Sequence, residues 1–373
     1  MTASMTTSGE WAVIIAIVVT RLVVPLAIPR FPLAIVAALV VDALDNSLLA
    51  QFTDVDLGPD GPYQGFDKAL DVYYLAIAYT ATLRNWTSEP ALRIARFLFY
   101  YRLAGVLLFE LLDSRAMLLV FPNTFEYFFI AYEVIRLRFD PAKRSARFWV
   151  VTAAALWLLV KLPQEYWIHV AQLDFTDAVA DHPWFGAVCA CGVLALVAAF
   201  VFVVRPRLPA PDWAWRIEAE PVPAAGAPER GIAWGALAEK AVLLALISVI
   251  FGEILPTVQM SALEVAVGAA AIVGADTAIS AWRARPLRFG ALVAVNLGLV
   301  YFASRLLSDA EDFPLGTGLF FAFLIALLVT LYDRYRRVSE STSVVPRTRG
   351  VGSVQAGTEN GGRDNGEPHH RGS

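Results

Sequence analysis

Four aspartates and a lysine stand close together: Asp42 and Asp45 in VDALDNSLLAQF, then Asp67, Lys68 and Asp71 in YQGFDKALDVYYLAIAY. Both segments otherwise read as apolar helices. An ionisable side chain at bilayer depth costs roughly 2.5–3.5 kcal/mol on insertion scales, so it is kept where it meets a partner, a cavity or a bound ion. Crowded carboxylates raise one another's proton affinity or bind cations. If a metal binds, Asp42, Asp45, Asp67 and Asp71 are its ligands, and Mg²⁺ or Ca²⁺ suits an all-oxygen set.

More ionisable and polar residues recur in other apolar stretches: Arg21, Arg102, Asn123, Glu126, Lys161, Glu165 and His169. Counted from the outer boundary at about 1.5 Å per helical residue, they and the four aspartates fall in the outer half of the bilayer or near its middle. Their spacing is helical. Asp42 and Asp45 are i, i+3, while Asp67, Asp71 and Tyr74 follow one face, as do Lys161, Glu165 and His169. Each of the second to sixth apolar segments therefore carries one polar stripe. Turning the stripes toward each other, around a wet cavity reached from outside, is the arrangement that buries them at least cost.

The elements that position these residues are membrane helices. The chain has 373 residues, 57% hydrophobic and 17% charged, with mean hydropathy +0.56. Globular proteins run nearer 25% charged, so the class is an all-α, polytopic integral membrane bundle. Apolar runs of spanning length define about eleven helices, over 11–29, 31–51, 63–83, 95–113, 116–136, 148–170, 185–204, 232–255, 259–281, 289–307 and 314–333. Pro25 and Pro163 lie inside spans and are expected to kink them. Most of the 30 Lys and Arg fall in alternate connections, and the intervening ones are acidic, as in Asp54–Asp60 and Asp174–Asp181. That alternation puts the N-terminus outside and the C-terminus in the cytoplasm. The basic residues are overwhelmingly arginine, the usage of a GC-rich bacterial genome, so the location expected is a bacterial plasma membrane.

Four regions follow: a seven-helix bundle at 1–204 with the polar cluster, a Pro/Ala-rich cytoplasmic linker at 205–230, a four-helix segment at 231–338, and a disordered cytoplasmic tail at 339–373. In the four-helix segment, Glu239 and Lys240 read as a local pair and Asp276 and Asn296 as isolated. Cys189 and Cys191, two apart in an apolar helix, read as packing residues rather than a disulfide.

Several chemistries are disfavoured. His169 and His182 are the only histidines before the tail, and H-E-x-x-H, G-x-S-x-G and nucleotide-binding glycine patterns are absent. The Asp-rich signatures of membrane prenyltransferases and alcohol phosphotransferases are absent too, and nothing points to nucleic acid. Three functions fit the cluster. The first is transport of a proton, a cation or a charged solute. The second is a membrane-embedded enzyme acting at the outer leaflet on a lipid-linked substrate, with a divalent cation. The third is a structural or sensory protein held by ion pairs such as Arg21 with Asp42 or Asp45, and Lys161 with Glu165. Beyond the lipid bilayer and a lipid or small charged solute, the sequence names no partner and sets no oligomeric state.

Overall fold

The computed structural model describes residues 8–53, 62–112, 114, 116–167, 171, 178–179, 182–219, 233–254, 261–283, 289–307 and 315–344. Among these the secondary structure is helical throughout, without a strand. Seven helical stretches are long and apolar enough to cross a membrane, which supports a membrane protein.

The order is α1 (Ser8–Val23), α2 (Ala34–Phe52), α3 (Pro62–Asn85), α4 (Glu89–Leu112), α5 (Ala116–Val120), α6 (Thr124–Arg136), α7 (Ala146–Ala155), α8 (Pro183–Ala199), α9 (Trp234–Ile254), α10 (Ala262–Arg283), α11 (Phe289–Leu307) and α12 (Leu315–Val344). Pro25 and Pro163, expected to kink their spans, each stand at a departure from regular α-helix, by different means. At Pro25, α1 gives way to a 3₁₀ turn, Val24–Ala27. Before Pro163, α7 continues as a π-helical stretch, Leu156–Lys161, and then returns to α-helix over Leu162–Glu165. Proline cannot donate to the preceding turn, and widening that turn is a known accommodation.

The spine of the fold is α3. From Ala69 to Leu83 nearly every side chain is buried, so this helix is surrounded by protein. Its neighbours include α1, α2, α4, α9 and α12. One core runs from Ile28 through Phe99, Phe125 and Trp149 to Ile247, Leu328 and Tyr335. Residues from both sides of the 205–230 linker thus share it. By contrast α8 faces outward: Leu194, Leu196 and Phe202 just beyond it are 66%, 73% and 76% exposed, a surface suited to lipid. Cys189 and Cys191 lie on this helix as free thiols, and Cys191 is exposed rather than packed.

The span expected at 116–136 is not one helix. It breaks at Phe121-Pro122-Asn123. Pro122 supplies no N–H, and the carbonyls freed at the break are met by α4. Tyr101 donates to Val120 O at 2.7 Å, and Arg102 Nη1 donates to Phe121 O at 3.2 Å. On the other side of the break, Asn123 N–H donates to Glu165 Oε1 at 3.3 Å. Irregular backbone at membrane depth survives only where protein satisfies it in this way. Gly105 makes the approach feasible, because a Cβ there would stand 2.1 Å from Phe121 Cβ.

The first half of the linker is not a loose tether. After a 3₁₀ turn at Arg205–Arg207, residues 208–219 lie as a strap across two loops. Backbone N–H groups of Asp212, Arg216 and Ala219 donate to the carbonyls of Arg138, Leu137 and Arg30 at 2.9, 3.1 and 2.8 Å. Trp213 Nε1 donates to Arg136 O at 3.0 Å, and the Arg216 guanidinium lies 4.0 Å over the Trp213 ring. Residues 220–230 and 345–373 lie outside the described residues, and α12 runs on through the start of the segment expected as tail.

Two predictions follow from these contacts. Gly105→Ala should destabilise the folded protein by about 1–3 kcal/mol, the usual effect of overpacking a close contact. Unfolding in detergent measures it, and adding Phe121→Ala should recover part of the loss. The Asp212 carboxyl is held below its usual value, first by the Asp140 N–H it accepts and then by Lys143. A lowered value means its contribution to strap docking is present above the ordinary aspartate pKa of about 3.9 and is lost as pH falls below that. Limited proteolysis should find the strap equally protected at neutral and mildly acidic pH, and cleavable only at lower pH.

Candidate functional site

Arg21 ends α1 and projects its guanidinium between α2 and α3, where four aspartates take hold of it. Nη1 bonds Asp45 Oδ2 at 2.5 Å and Asp67 Oδ1 at 2.5 Å. Nη2 bonds Asp71 Oδ1 at 2.9 Å and also Asp42 Oδ1. The helical spacing explains the convergence: Asp42 and Asp45 share one face of α2, and Asp67 and Asp71 share one face of α3. The Arg21 side chain is only 3% exposed and that of Asp45 is fully buried, whereas the carboxylates of Asp42, Asp67 and Asp71 keep 25–31% exposure. The cluster is thus closed at Asp45 and open on the side of the other three. One oxygen from each of Asp42, Asp67 and Asp71 lies within 4.8 Å of the other two. Lys68 occupies α3 between the aspartates, but its side chain lies outside the described residues.

Charge counting gives this cluster its chemistry. Among the described side chains, four carboxylates surround a single guanidinium. Like charges a few ångström apart cost free energy, and one guanidinium carries a single positive charge against four carboxylates when all are ionised. Protons or a further cation bound at the open side remove that cost. These oxygens can hold a divalent ion through Asp42, Asp67 and Asp71, with Arg21 and Asp45 fixing their backs.

One turn further along α3, Tyr74 opens a second cluster. Its hydroxyl donates to Glu126 Oε2 in the first turn of α6. Asn123 Nδ2 donates to the same oxygen at 2.6 Å. Lys161 Nζ pairs with Glu165 Oε1 at 3.5 Å, donates to Gln164 Oε1 at 3.1 Å and lies 4.7 Å over the Tyr127 ring. Arg102 is buried beside the break, and its one hydrogen bond among the described residues is the one to Phe121 O. Asp71 and Tyr74, three apart on α3, stand on one face and join the two clusters.

The predicted residues therefore come together as two adjoining clusters, not as one ring of stripes. Arg21, Asp42, Asp45, Asp67 and Asp71 form the first. Arg102, Asn123, Glu126, Lys161 and Glu165 form the second, around the broken helix. His169 lies outside the described residues. The ion pairs anticipated between Arg21 and Asp42 or Asp45, and between Lys161 and Glu165, are present.

A third network was missed. Glu239 and Lys240 are not a local pair, because neighbouring residues on a helix point apart. Glu239 accepts from Tyr79 and, at 2.9 Å, from Tyr332, and it pairs with Arg96 at 3.2 Å and Arg336 at 3.4 Å. Lys240 turns to Asp333 at 2.9 Å. Nor are Asp276 and Asn296 isolated: with its nitrogen turned to the carboxylate, the Asn296 amide reaches both Asp276 oxygens at 2.9 and 2.8 Å. The i, i+1 spacing of Glu239 and Lys240 was a signal that they serve different neighbours.

No protein-family model matches this chain, and neither the curated proteins nor the solved structures give a match.

Removing Arg21 leaves its aspartates uncompensated. Arg21→Gln should cost roughly 3–5 kcal/mol, the range for breaking a buried pair from one side. Neutralising the most buried acid in the same chain, Arg21→Gln with Asp45→Asn, should recover part of it. Melting temperatures in detergent read both outcomes.

Proposed function

We propose that the protein is a membrane transporter whose outward-facing polar site binds protons or a small cation in the Arg21 cluster. The observation that carries this reading is the surplus of carboxylate over guanidinium at that cluster, open on the Asp42, Asp67 and Asp71 side. Ion pairs that only hold helices together need no surplus of one sign; among the described side chains this site keeps acid in excess. The bond from Tyr74 to Glu126 supports a path onward, because a hydroxyl that both donates and accepts can relay a proton between carboxylates. Asp67, Asp71, Tyr74 and Glu126 would then be successive stations, with Asn123, Glu165 and Lys161 holding the far end.

The topology we attach to this reading is eleven spans, with the N-terminus outside and the C-terminus in the cytoplasm of a bacterial plasma membrane. It rests on the alternation of basic and acidic connections. The strap fits a cytoplasmic position, since its Arg216 and the Arg136, Arg138 and Lys143 it crosses are basic.

One observation favours a second reading. The spacing of the Asp42, Asp67 and Asp71 oxygens suits Mg²⁺ or Ca²⁺, and a cation held there would orient the phosphate of a lipid-linked substrate at the outer leaflet. That reading expects metal-dependent turnover in detergent, without any gradient.

Reconstitution in liposomes with an internal pH-sensitive dye separates the readings. Wild type should carry protons down an imposed gradient. Asp71→Asn should abolish the flux. Tyr74→Phe, which removes one hydroxyl and about 1 kcal/mol of hydrogen bonding, should slow it by about tenfold or more, as loss of a proton donor does elsewhere. Wild-type flux in both variants would overturn the proposal. Loss of turnover on metal removal, with no flux in wild type, would favour the enzyme.

A further inference from the structure

The broken helix holds polar atoms that the proton path does not use. Arg102 is 9% exposed, and its Nε has no hydrogen-bond partner among the described residues. Its Nη1 is spent on Phe121 O at 3.2 Å. The guanidinium makes no ion pair within 4 Å among the described residues, although Glu126 and the Lys161–Glu165 pair share its cluster. Those neighbours are engaged otherwise: Glu126 with Tyr74 and Asn123, Lys161 with Glu165 and Gln164.

Two further buried atoms at the break lack partners among the described residues: Thr124 Oγ1, in the first residue of α6, and Asn123 Oδ1. Thr124 is 1% exposed and Asn123 is 6% exposed. Asn123 holds the capping position of α6, yet its side chain makes no cap bond. At the start of this 13-residue helix the Asn123 N–H donates to Glu165 Oε1 at 3.3 Å and the Thr124 N–H to Pro122 O at 2.8 Å, so what is left unmatched there is side-chain atoms.

A buried arginine with a free donor edge and a buried hydroxyl share one chemical complement. The Nε and Nη2 donors of an arginine form the edge that grips two oxygens of one anion. The Thr124 hydroxyl stands in the first residue of α6, and the N-terminal end of a helix favours the same negative charge. Interrupted membrane helices are a recurring way of presenting such an end to an anionic ligand group at bilayer depth.

We propose that the break between α5 and α6 binds an oxyanion, a carboxylate or phosphate, through the free edge of Arg102 and the hydroxyl of Thr124. The site goes beyond the proton or cation reading and does not depend on it. The anion comes either with a soluble solute or on a lipid headgroup; both offer paired oxygens to the same donors.

Full-length protein in phosphatidylcholine nanodiscs tests this. Sodium acetate and sodium phosphate are titrated against sodium chloride at matched ionic strength, and the melting temperature is followed. We expect one oxyanion to raise it saturably while chloride does not. Arg102→Gln should weaken the apparent affinity by about tenfold or more, as loss of a charge-assisted bidentate contact does. Thr124→Ala, which keeps the guanidinium and the Phe121 contact, should weaken it less but measurably, and it decides the matter where Arg102→Gln does not fold. In a second arm, nanodiscs containing phosphatidylglycerol replace the soluble anions. A stabilisation there that both variants lose assigns the oxyanion to lipid. The proposal is overturned by the absence of any oxyanion-specific shift in both arms, or by shifts of wild-type size in Thr124→Ala.

Discussion

A guanidinium held by four carboxylates is the interaction on which this fold turns. In lipid, burying Leu against Leu gains little beyond packing, because the acyl chains are equally apolar. Charge is different, since an uncompensated ion at depth costs several kcal/mol. Arg21 meets that demand for Asp42, Asp45, Asp67 and Asp71 together, and so fixes α1, α2 and α3 against each other. Among the described side chains it meets the demand only in part, and that surplus of carboxylate makes a structural clasp a candidate binding site as well.

The same helix carries the other polar layers. Along α3, Asp67 and Asp71 face Arg21, Tyr74 faces Glu126, Tyr79 faces Glu239, and Trp86 just past its end donates to Glu133 at 2.8 Å. Between Tyr74 and Tyr79 the residues Leu75, Ala76, Ile77 and Ala78 are almost wholly buried and apolar. Along α3 the aspartate and Glu126 clusters therefore lie on one side of an apolar layer, and the Glu239 network on the other. The break between α5 and α6 borders the first side. Gly105, Tyr101 and Arg102 of α4 are matched to it by close approach and by donor geometry.

Much of this was legible in the residues. Apolar length marked the helices, and the i, i+3 and i, i+4 spacing of Asp42, Asp45, Asp67 and Asp71 put them on facing stripes. The cost of unpaired charge made Arg21 the natural partner of Asp42 or Asp45, and Lys161 that of Glu165. The break was not legible, because a proline in an apolar run marks at most a kink; what meets the opened chain there is the set of donors on α4, which spacing in 116–136 does not reveal. The division into two clusters was hidden for a related reason. Helical periodicity says which residues share a face, and tertiary packing decides which faces meet. The strap at 208–219 has no periodicity at all; its order comes from backbone bonds to distant loops.

The central claim is that the carboxylates of the Arg21 cluster and Glu126 exchange protons as one connected set. Infrared difference spectroscopy of the reconstituted protein, stepped between mildly acidic and mildly alkaline buffer, addresses it directly. The account predicts carboxyl bands that appear and vanish with the step, that are assignable by Asp71→Asn and Glu126→Gln, and that each shift when the other residue is replaced. Carboxyl bands that stay unchanged across the step, or that respond independently of each other, would contradict it.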